Sequence, residues 1–351
     1  MKFEKFSIGD KWILSSKPGC GRQTYLNGIL GENSENFDLI IEWDFLFSAP
    51  LGIFLNQCNK SLVKLNDLNM QSSMERPNTN YMMILNPLFS SLRAKKSLFV
   101  FYQPESIYTD GKWNDPNWEK FFNQFMNSDF VTGVFLTSKN DLSFSVETKK
   151  ITISKNWKNP SSAALDYILK SENNSADLTD LNDLDYSLQL EKIFSGFWNS
   201  QPGNIKDKLS YYSAALHVIS NRFYERESEE IRSLLDHISQ RKIDGIQIED
   251  WLARLIYGSL DQSSRIAIHK EWSKQLSLTV RNSRHPETWA LHHHLFFSRQ
   301  YEDSIEVLND IVDDELSMDI DGYLPAVIHD YEEADLPEEV AVEIEEIKDL
   351  L

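Results

Sequence analysis

Five short, almost uninterrupted apolar runs punctuate the first 155 residues: KWILSS (11–16), FDLIIEWDF (37–45), KSLFVFYQ (96–103), VTGVFLTS (131–138) and KKITIS (149–154). A strand with one wet face alternates apolar and polar residues, whereas a strand covered on both faces reads as a continuous run of Ile, Leu, Phe and Val. Several of these runs are of the second kind. Between the third and fourth lies PNWEKFFNQFMNSD, with Trp118, Phe121, Phe122 and Phe125 at helical spacing. Buried strands alternating with amphipathic helices predict a parallel α/β sheet with right-handed crossovers.

After about Asn159 the pattern changes. PSSAALDYILKS opens with a capping sequence, the polar stretch ENNSADLTDLND follows, and then come segments such as DYSLQLEKIFSGFW, SEEIRSLLDHIS and IEDWLARLIYGSL with apolar residues near i, i+3, i+4 and i+7. Residues 160–300 are therefore expected to be almost wholly helical. A chain of 351 residues exceeds what one core usually supports. The expected division is an α/β core over 1–158, a short lid or linker over 159–185, a helical domain over 186–300 and an acidic segment over 301–351.

The net charge of −19 is not spread evenly: from Tyr301 onward there are 19 acidic residues and one basic residue, Lys348, so the remaining 300 residues carry only −1. Ile305, Val307, Leu308, Ile311 and Val312, then Val340, Val342, Ile344, Ile347 and Leu350, recur within that acidic segment, which predicts one or two amphipathic helices there. No run of 18 apolar residues occurs and MKFEKFSIGDKWIL lacks the apolar centre of a secretory signal, so a cytoplasmic protein without membrane contact is expected. Two cysteines, Cys20 and Cys58, are too few for a disulfide framework.

SSKPGCGRQT (15–24) follows the first predicted strand and has nearly the form of a phosphate-binding loop. A working loop needs glycines that bring backbone amides onto phosphate, a Lys for the outer phosphates and a Ser or Thr hydroxyl for magnesium. Here those positions fall on Ser16, Gly21, Arg22 and Gln23, while Gly19 and Gly21 still permit the bend and Thr24 comes one place too late. The strand that should end in magnesium-binding carboxylates ends in Tyr102 and Gln103, with Glu105 beyond Pro104. Two separate defects argue against hydrolysis. No catalytic residue and no metal site is expected; His292, His293 and His294 are adjacent in sequence and point about 100° apart on a helix.

Leu88 and Phe89 precede a basic cluster, Arg93, Lys95 and Lys96, and then a strong strand. An apolar pair on a polar crest suits insertion into a partner's pocket, and the same pair could equally close the domain's own core.

The glycine-containing turn after the first strand, PLF before a basic run, SLFVFYQPE, VFLTSKND and VETKKITIS together resemble the AAA+ core of clamp-loader subunits, of the delta type first and the delta-prime type second, in bacterial and phage DNA polymerase holoenzymes. The resemblance implies an AAA+-like P-loop core with a degenerate nucleotide site followed by an all-α lid and collar. It further implies a non-hydrolysing subunit that binds the sliding clamp through Leu88 and Phe89, assembles with AAA+ partner subunits and touches DNA only indirectly. No cofactor is implied beyond residual ATP near Gly19, Gly21, Arg22 and Thr24. Two other classes remain open: an ATPase that uses Arg22 in place of Lys, and a degenerate P-loop adaptor, regulatory or defence protein that acts by protein binding.

Overall fold

The computed structural model describes residues 6–17, 19–45, 50–76, 80–109, 111–138, 142–144, 146–153, 163–171, 183–215, 218–242, 245–283, 285, 287–318 and 325–350. All five predicted strands form. β1 (Lys11–Ser15) leads into α1 (Arg22–Asn33), and β2 (Leu39–Asp44) into α2 (Leu51–Lys64), α3 (Asn69–Met74) and α4 (Tyr81–Arg93). β3 (Ser97–Tyr102) is followed by a two-strand hairpin, β4 (Tyr108–Thr109) and β5 (Lys112–Trp113), then α5 (Pro116–Met126), β6 (Val131–Thr137) and β7 (Lys149–Thr152). The large sheet runs β2-β3-β6-β1-β7 with every pair parallel.

Successive strand residues feed opposite faces, as the two-residue period requires. Ile13, Phe99, Phe101 and Phe135 point toward α2, α4 and α5, where Phe54, Trp118, Phe121, Phe122 and Phe125 complete an aromatic interior. Leu14, Leu98, Val100, Val134 and Leu136 point the other way, onto Tyr25, Leu26 and Ile29 of α1. The three central strands are buried along their whole length, while β7 at one edge is largely exposed.

The second half is helical as expected, with one addition. α6 (Ala163–Ser171), α7 (Asp183–Ser200) and α8 (Gly203–Ser213) are followed by β8 (Ile219–Ser220), α9 (Asn221–Tyr224), α10 (Glu229–Ile238), β9 (Ser239–Lys242) and β10 (Gly245–Ile248). β10 pairs antiparallel with both β8 and β9, a winged-helix arrangement inside a region expected to be almost wholly helical. Strands of two to four residues carry no readable period, so this sheet was hidden among the helical patterns.

α11 (Asp250–Gly258), α12 (Gln262–Ser277), α13 (Thr288–Phe297) and α14 (Tyr301–Ser317) continue the chain, and α15 (Pro325–Glu332) and α16 (Glu338–Leu350) end the described part. The acidic segment thus holds three helices. They are docked: Ile305, Leu308, Ile311, Val312, Tyr331, Val340, Ile344 and Ile347 belong to the same apolar core as α2, α4 and α5. Among the described residues no helix is long and apolar enough to cross a membrane.

Candidate functional site

The loop after β1 bends through Gly19 and Gly21, both at positive φ (74° and 75°), and delivers Arg22, Gln23 and Thr24 as the first turn of α1. A parallel sheet offers ligands the crevice beyond the carboxyl ends of its strands, and this loop lies there. The crevice is roofed by the winged-helix half. Gln240, Lys242, Gln247 and Asp250 join the loop, Asp44, Tyr102, Gln103 and Glu105 around a cavity of about 260 Å³.

Each replacement of a phosphate-loop residue has a visible consequence. Gln23, at the magnesium-hydroxyl position, is turned into the protein: its amide donates to Asn27 Oδ1 (3.0 Å) and to the Tyr102 hydroxyl (3.2 Å), which donates to Glu42 Oε1 (3.0 Å). Burial and the neighbouring Glu42 hold the Tyr102 phenol well above its usual range. Arg22 lies half-buried among carboxylates. Burial pulls its guanidinium down, and Glu105, Asp250 and Asp44 oppose that shift. Its Nη1 is enclosed without a hydrogen-bond partner among the described residues. Thr24 is exposed on the cavity rim.

The strand end expected to carry carboxylates is committed elsewhere. Gln103 takes a left-handed conformation (φ 55°), donates to Asp44 Oδ1 (3.3 Å) and accepts from Arg254 Nη2 (3.0 Å), which is itself fixed by two bonds from Nε to Asp250 (3.0 Å each). Glu105 Oε1 accepts from the Ser138 amide (2.8 Å) and hydroxyl (2.7 Å). From the roof, Lys242 sets its ammonium 3.2 Å from the Tyr102 ring centroid, and burial lowers its pKa against the pull of Glu42 and Asp44. Glu249 ties the roof to the lid by accepting from the Ala164 amide (3.3 Å) and from Trp251 Nε1 (2.8 Å). Two cations, Arg22 and Lys242, therefore stand in the phosphate region balanced by the protein's own carboxylates.

Gly19, Gly21, Arg22 and Thr24 all line this crevice. Lys242, Asp250 and Arg254 were missed because they lie more than 200 residues from the loop; the one legible hint was the Asp-Gly pair at 244–245, a hairpin signature.

Leu88 and Phe89 require a correction. They sit inside α4, 0% and 6% exposed, with Phe89 6.0 Å from the Phe121 ring. Tyr81, Ile84, Leu85, Leu88 and Leu92 form one apolar stripe of that helix, which runs on to Arg93, so the pair closes the domain's own core and forms no exposed wedge. The basic cluster behind it is also engaged, with Lys95 bonded to Asp67 (3.0 Å) and Arg93 over the Phe130 ring.

The histidine run splits as helical geometry demands. His292 meets the Tyr331 hydroxyl (3.1 Å), and His294 faces His269, Nδ1 to Nδ1 at 2.8 Å. Burial drives His292 down to about 3 and His269 to about 4, so both are neutral at pH 7. Among the described residues no group of three or more His, Cys, Asp or Glu is arranged to hold a metal ion. Cys20 and Cys58 are both free and buried.

No protein-family model and no curated protein matches the sequence. Solved structures do resemble the fold. A Signal Transduction ATPase with Numerous Domains (STAND) protein with a tetratricopeptide repeat sensor from Pyrococcus horikoshii aligns with a TM-score of 0.58 at 10% identity, over 97% of this chain and 52% of its own. The chain thus spans about half the length of that protein. A Walker-type ATPase of Pyrococcus abyssi gives a TM-score of 0.29 at 10% identity (70% and 90% covered), and the Aeropyrum pernix ORC1 protein in complex with DNA gives 0.31 at 11% identity (97% and 78%). The first likeness, with the strand order and the loop after β1, shows the fold of this chain: a parallel α/β core followed by a helical region, as in that STAND protein.

Proposed function

We propose that this chain is a non-hydrolysing regulatory or adaptor protein, in which the P-loop fold serves as a scaffold for protein binding and the helical half closes over the former nucleotide crevice. The observation that carries this reading is the internal use of the side chains at the magnesium-hydroxyl and carboxylate positions. Gln23 replaces the magnesium hydroxyl and bonds Tyr102, Gln103 replaces a carboxylate and bonds Asp44 and Arg254, and Arg22 is matched by Glu105, Asp44 and Asp250. Phosphoryl transfer depends on a hydroxyl and carboxylates placed to hold magnesium, and at those positions stand Gln23, Tyr102 and Gln103, which bond within the protein.

The purified chain is expected to show no magnesium-dependent ATP or GTP turnover above a protein-free blank. Turnover that Arg22→Ala abolishes would overturn the proposal in favour of an ATPase with Arg22 as the phosphate-contacting cation. Residual nucleotide binding without turnover is compatible with the reading and is measured by calorimetry in the same samples.

Closure rests partly on Lys242, whose contact with Tyr102 is worth about 0.5 to 2 kcal/mol at a partly desolvated site. Lys242→Ala with Arg254→Ala is expected to speed amide exchange across Arg22–Asn33 and β10 and to leave α2 and α4 unchanged. Equal protection in the double variant would show that closure depends on other contacts.

A role as a clamp-loader subunit shares this fold but loses its proposed contact, since Leu88 and Phe89 are buried. DNA contact through the winged-helix unit is disfavoured as well: α10 opens with Glu229 and Glu230, charges that repel a phosphate backbone. Binding of the wild-type chain to the sliding clamp of its own host, by calorimetry, is the direct test; tight binding would reinstate that role through a surface other than Leu88 and Phe89.

A further inference from the structure

Gln103, which stands where a carboxylate was expected at the end of β3, also has an uncommon backbone conformation: φ 55° and ψ 46°, in the left-handed region. Among the described residues two other non-glycine residues have positive φ, Asn66 and Arg299, and each follows the end of a helix, where a left-handed residue is ordinary. Gln103 instead follows a strand and precedes Pro104. Its own Cβ disfavours the left-handed region, and the proline ring pushes the residue before it toward extended backbone. Such a conformation persists only where the surroundings over-determine it.

The contacts that hold it come from both halves of the chain. On the core side the Gln103 backbone amide donates to the Leu136 carbonyl (2.9 Å), its side-chain amide donates to Asp44 Oδ1 (3.3 Å), and its carbonyl accepts from the Ser106 amide (3.1 Å) and hydroxyl (2.7 Å). On the roof side Arg254 Nη2 donates to Gln103 Oε1 (3.0 Å). The roof thus holds Gln103 by one exposed hydrogen bond, comparable in worth to the strain it opposes. After Gln103 come a single helical turn, Pro104–Ser106, and the β4–β5 hairpin, whose Thr109 and Lys112 are exposed. We propose that Gln103 is a strained switch that couples closure of the winged-helix roof to the order of this turn and hairpin. With Arg254 in place Gln103 stays left-handed. When the roof lifts, Gln103 relaxes toward the extended backbone that Pro104 favours, its carbonyl turns away from Ser106, and the turn and the start of β4 loosen. This coupling rests on the closed scaffold proposed above and displays closure at the surface, where a protein partner can read it.

Amide exchange of residues 104–109 in the full chain, followed by mass spectrometry with α2 and α5 as controls of the fold, tests the switch. Arg254→Ala is expected to speed exchange there by about tenfold. Gln103→Gly and Gln103→Val both remove the side-chain amide and differ in backbone preference: glycine takes the left-handed region freely, whereas a β-branched residue there is an outlier. The glycine variant is expected to exchange as slowly as wild type across 104–109, and the valine variant about tenfold faster. Side-chain bonds acting alone would move both variants alike, and that result overturns the proposal. Wild-type exchange across 104–109 in Arg254→Ala overturns it as well. Exchange of β10 in that variant then separates closure from coupling: faster β10 leaves the closed crevice standing without the switch, while protected β10 removes Arg254 from closure too.

Discussion

Leu88→Ala combined with Phe89→Ala is expected to cost the protein much of its stability. Both side chains lie in the aromatic interior between α4, α5 and the sheet, and Phe89 sits between the Phe121 and Phe130 rings at centroid distances of 6.0 and 6.5 Å. Truncating a core Leu costs about 2 to 5 kcal/mol and a core Phe about 3 to 5. Adjacent sites share a cavity and do not add fully, so roughly 4 to 8 kcal/mol is the expected combined loss. Against a total of about 5 to 15 kcal/mol for a typical domain, that loss is close to unfolding. Urea denaturation followed by tryptophan emission, with Trp118 as a reporter inside the cluster, measures it. A double variant with the wild-type midpoint would place the pair on the surface and restore a partner-insertion role. The same result bears on any binding experiment: a loss of partner affinity in this variant is uninterpretable until its fold has been verified.

The α/β core was legible because its signal is local and redundant. SLFVFY and VTGVFL are rich in β-branched and aromatic residues and recur in alternation with helical patterns, and the helix carrying Trp118, Phe121, Phe122 and Phe125 reports its buried face through four large rings. The same periodicity, followed past residue 89, would have placed Leu88 inside: Ile84, Leu85, Leu88 and Leu92 continue one stripe. A two-residue motif was given more weight than the helix that contains it. In the acidic segment seven of the ten apolar positions read from the sequence are buried, whereas Val342 and Leu350 are exposed and Val307 is half-buried; the charge concealed that the helices dock, because acidic residues on the outer face say nothing about the inner one. The nucleotide crevice was half legible. Losses of Lys and of the magnesium hydroxyl can be read from ten residues, whereas the compensation by Lys242, Asp250 and Arg254 depends on how two halves of the chain meet.

A single buried carboxyl joins the acidic helices to the core, and its ionisation is expected to make the protein lose stability as pH rises. Glu315 of α14 is 3% exposed and its Oε1 accepts from the Gly52 amide (2.8 Å) in the first turn of α2, a helix whose own N-cap, Pro50, offers no side-chain bond. A Cβ at position 52 would lie 2.7 Å from Glu315 Oε1, so a larger residue there must displace that carboxyl. Burial raises the Glu315 pKa from 4.5 to about 8; the Gly52 amide lowers it, while Asp115 and Asp314 raise it further. The folded protein therefore keeps a proton that the unfolded chain releases above about pH 4.5. Stability is fully present below that pH, falls as pH climbs toward 8 and levels off beyond it. One retained proton corresponds to at most ~1.36 kcal/mol per pH unit. Asp115, at the start of α5, is raised to about 6 by burial and acts in the same sense at lower pH, so the informative window is pH 6.5 to 8. Across it wild type should lose about 1 to 2 kcal/mol more than Glu315→Gln, which keeps the carbonyl acceptor for Gly52 and cannot ionise. Urea midpoints at the two pH values give the comparison, and every other titrating group is common to both proteins. Parallel pH dependence in the two proteins would mean that Glu315 is already ionised in the fold, stabilised at the N-terminus of α2. The acidic helices would then be held by a charge-assisted bond that does not change across this pH window.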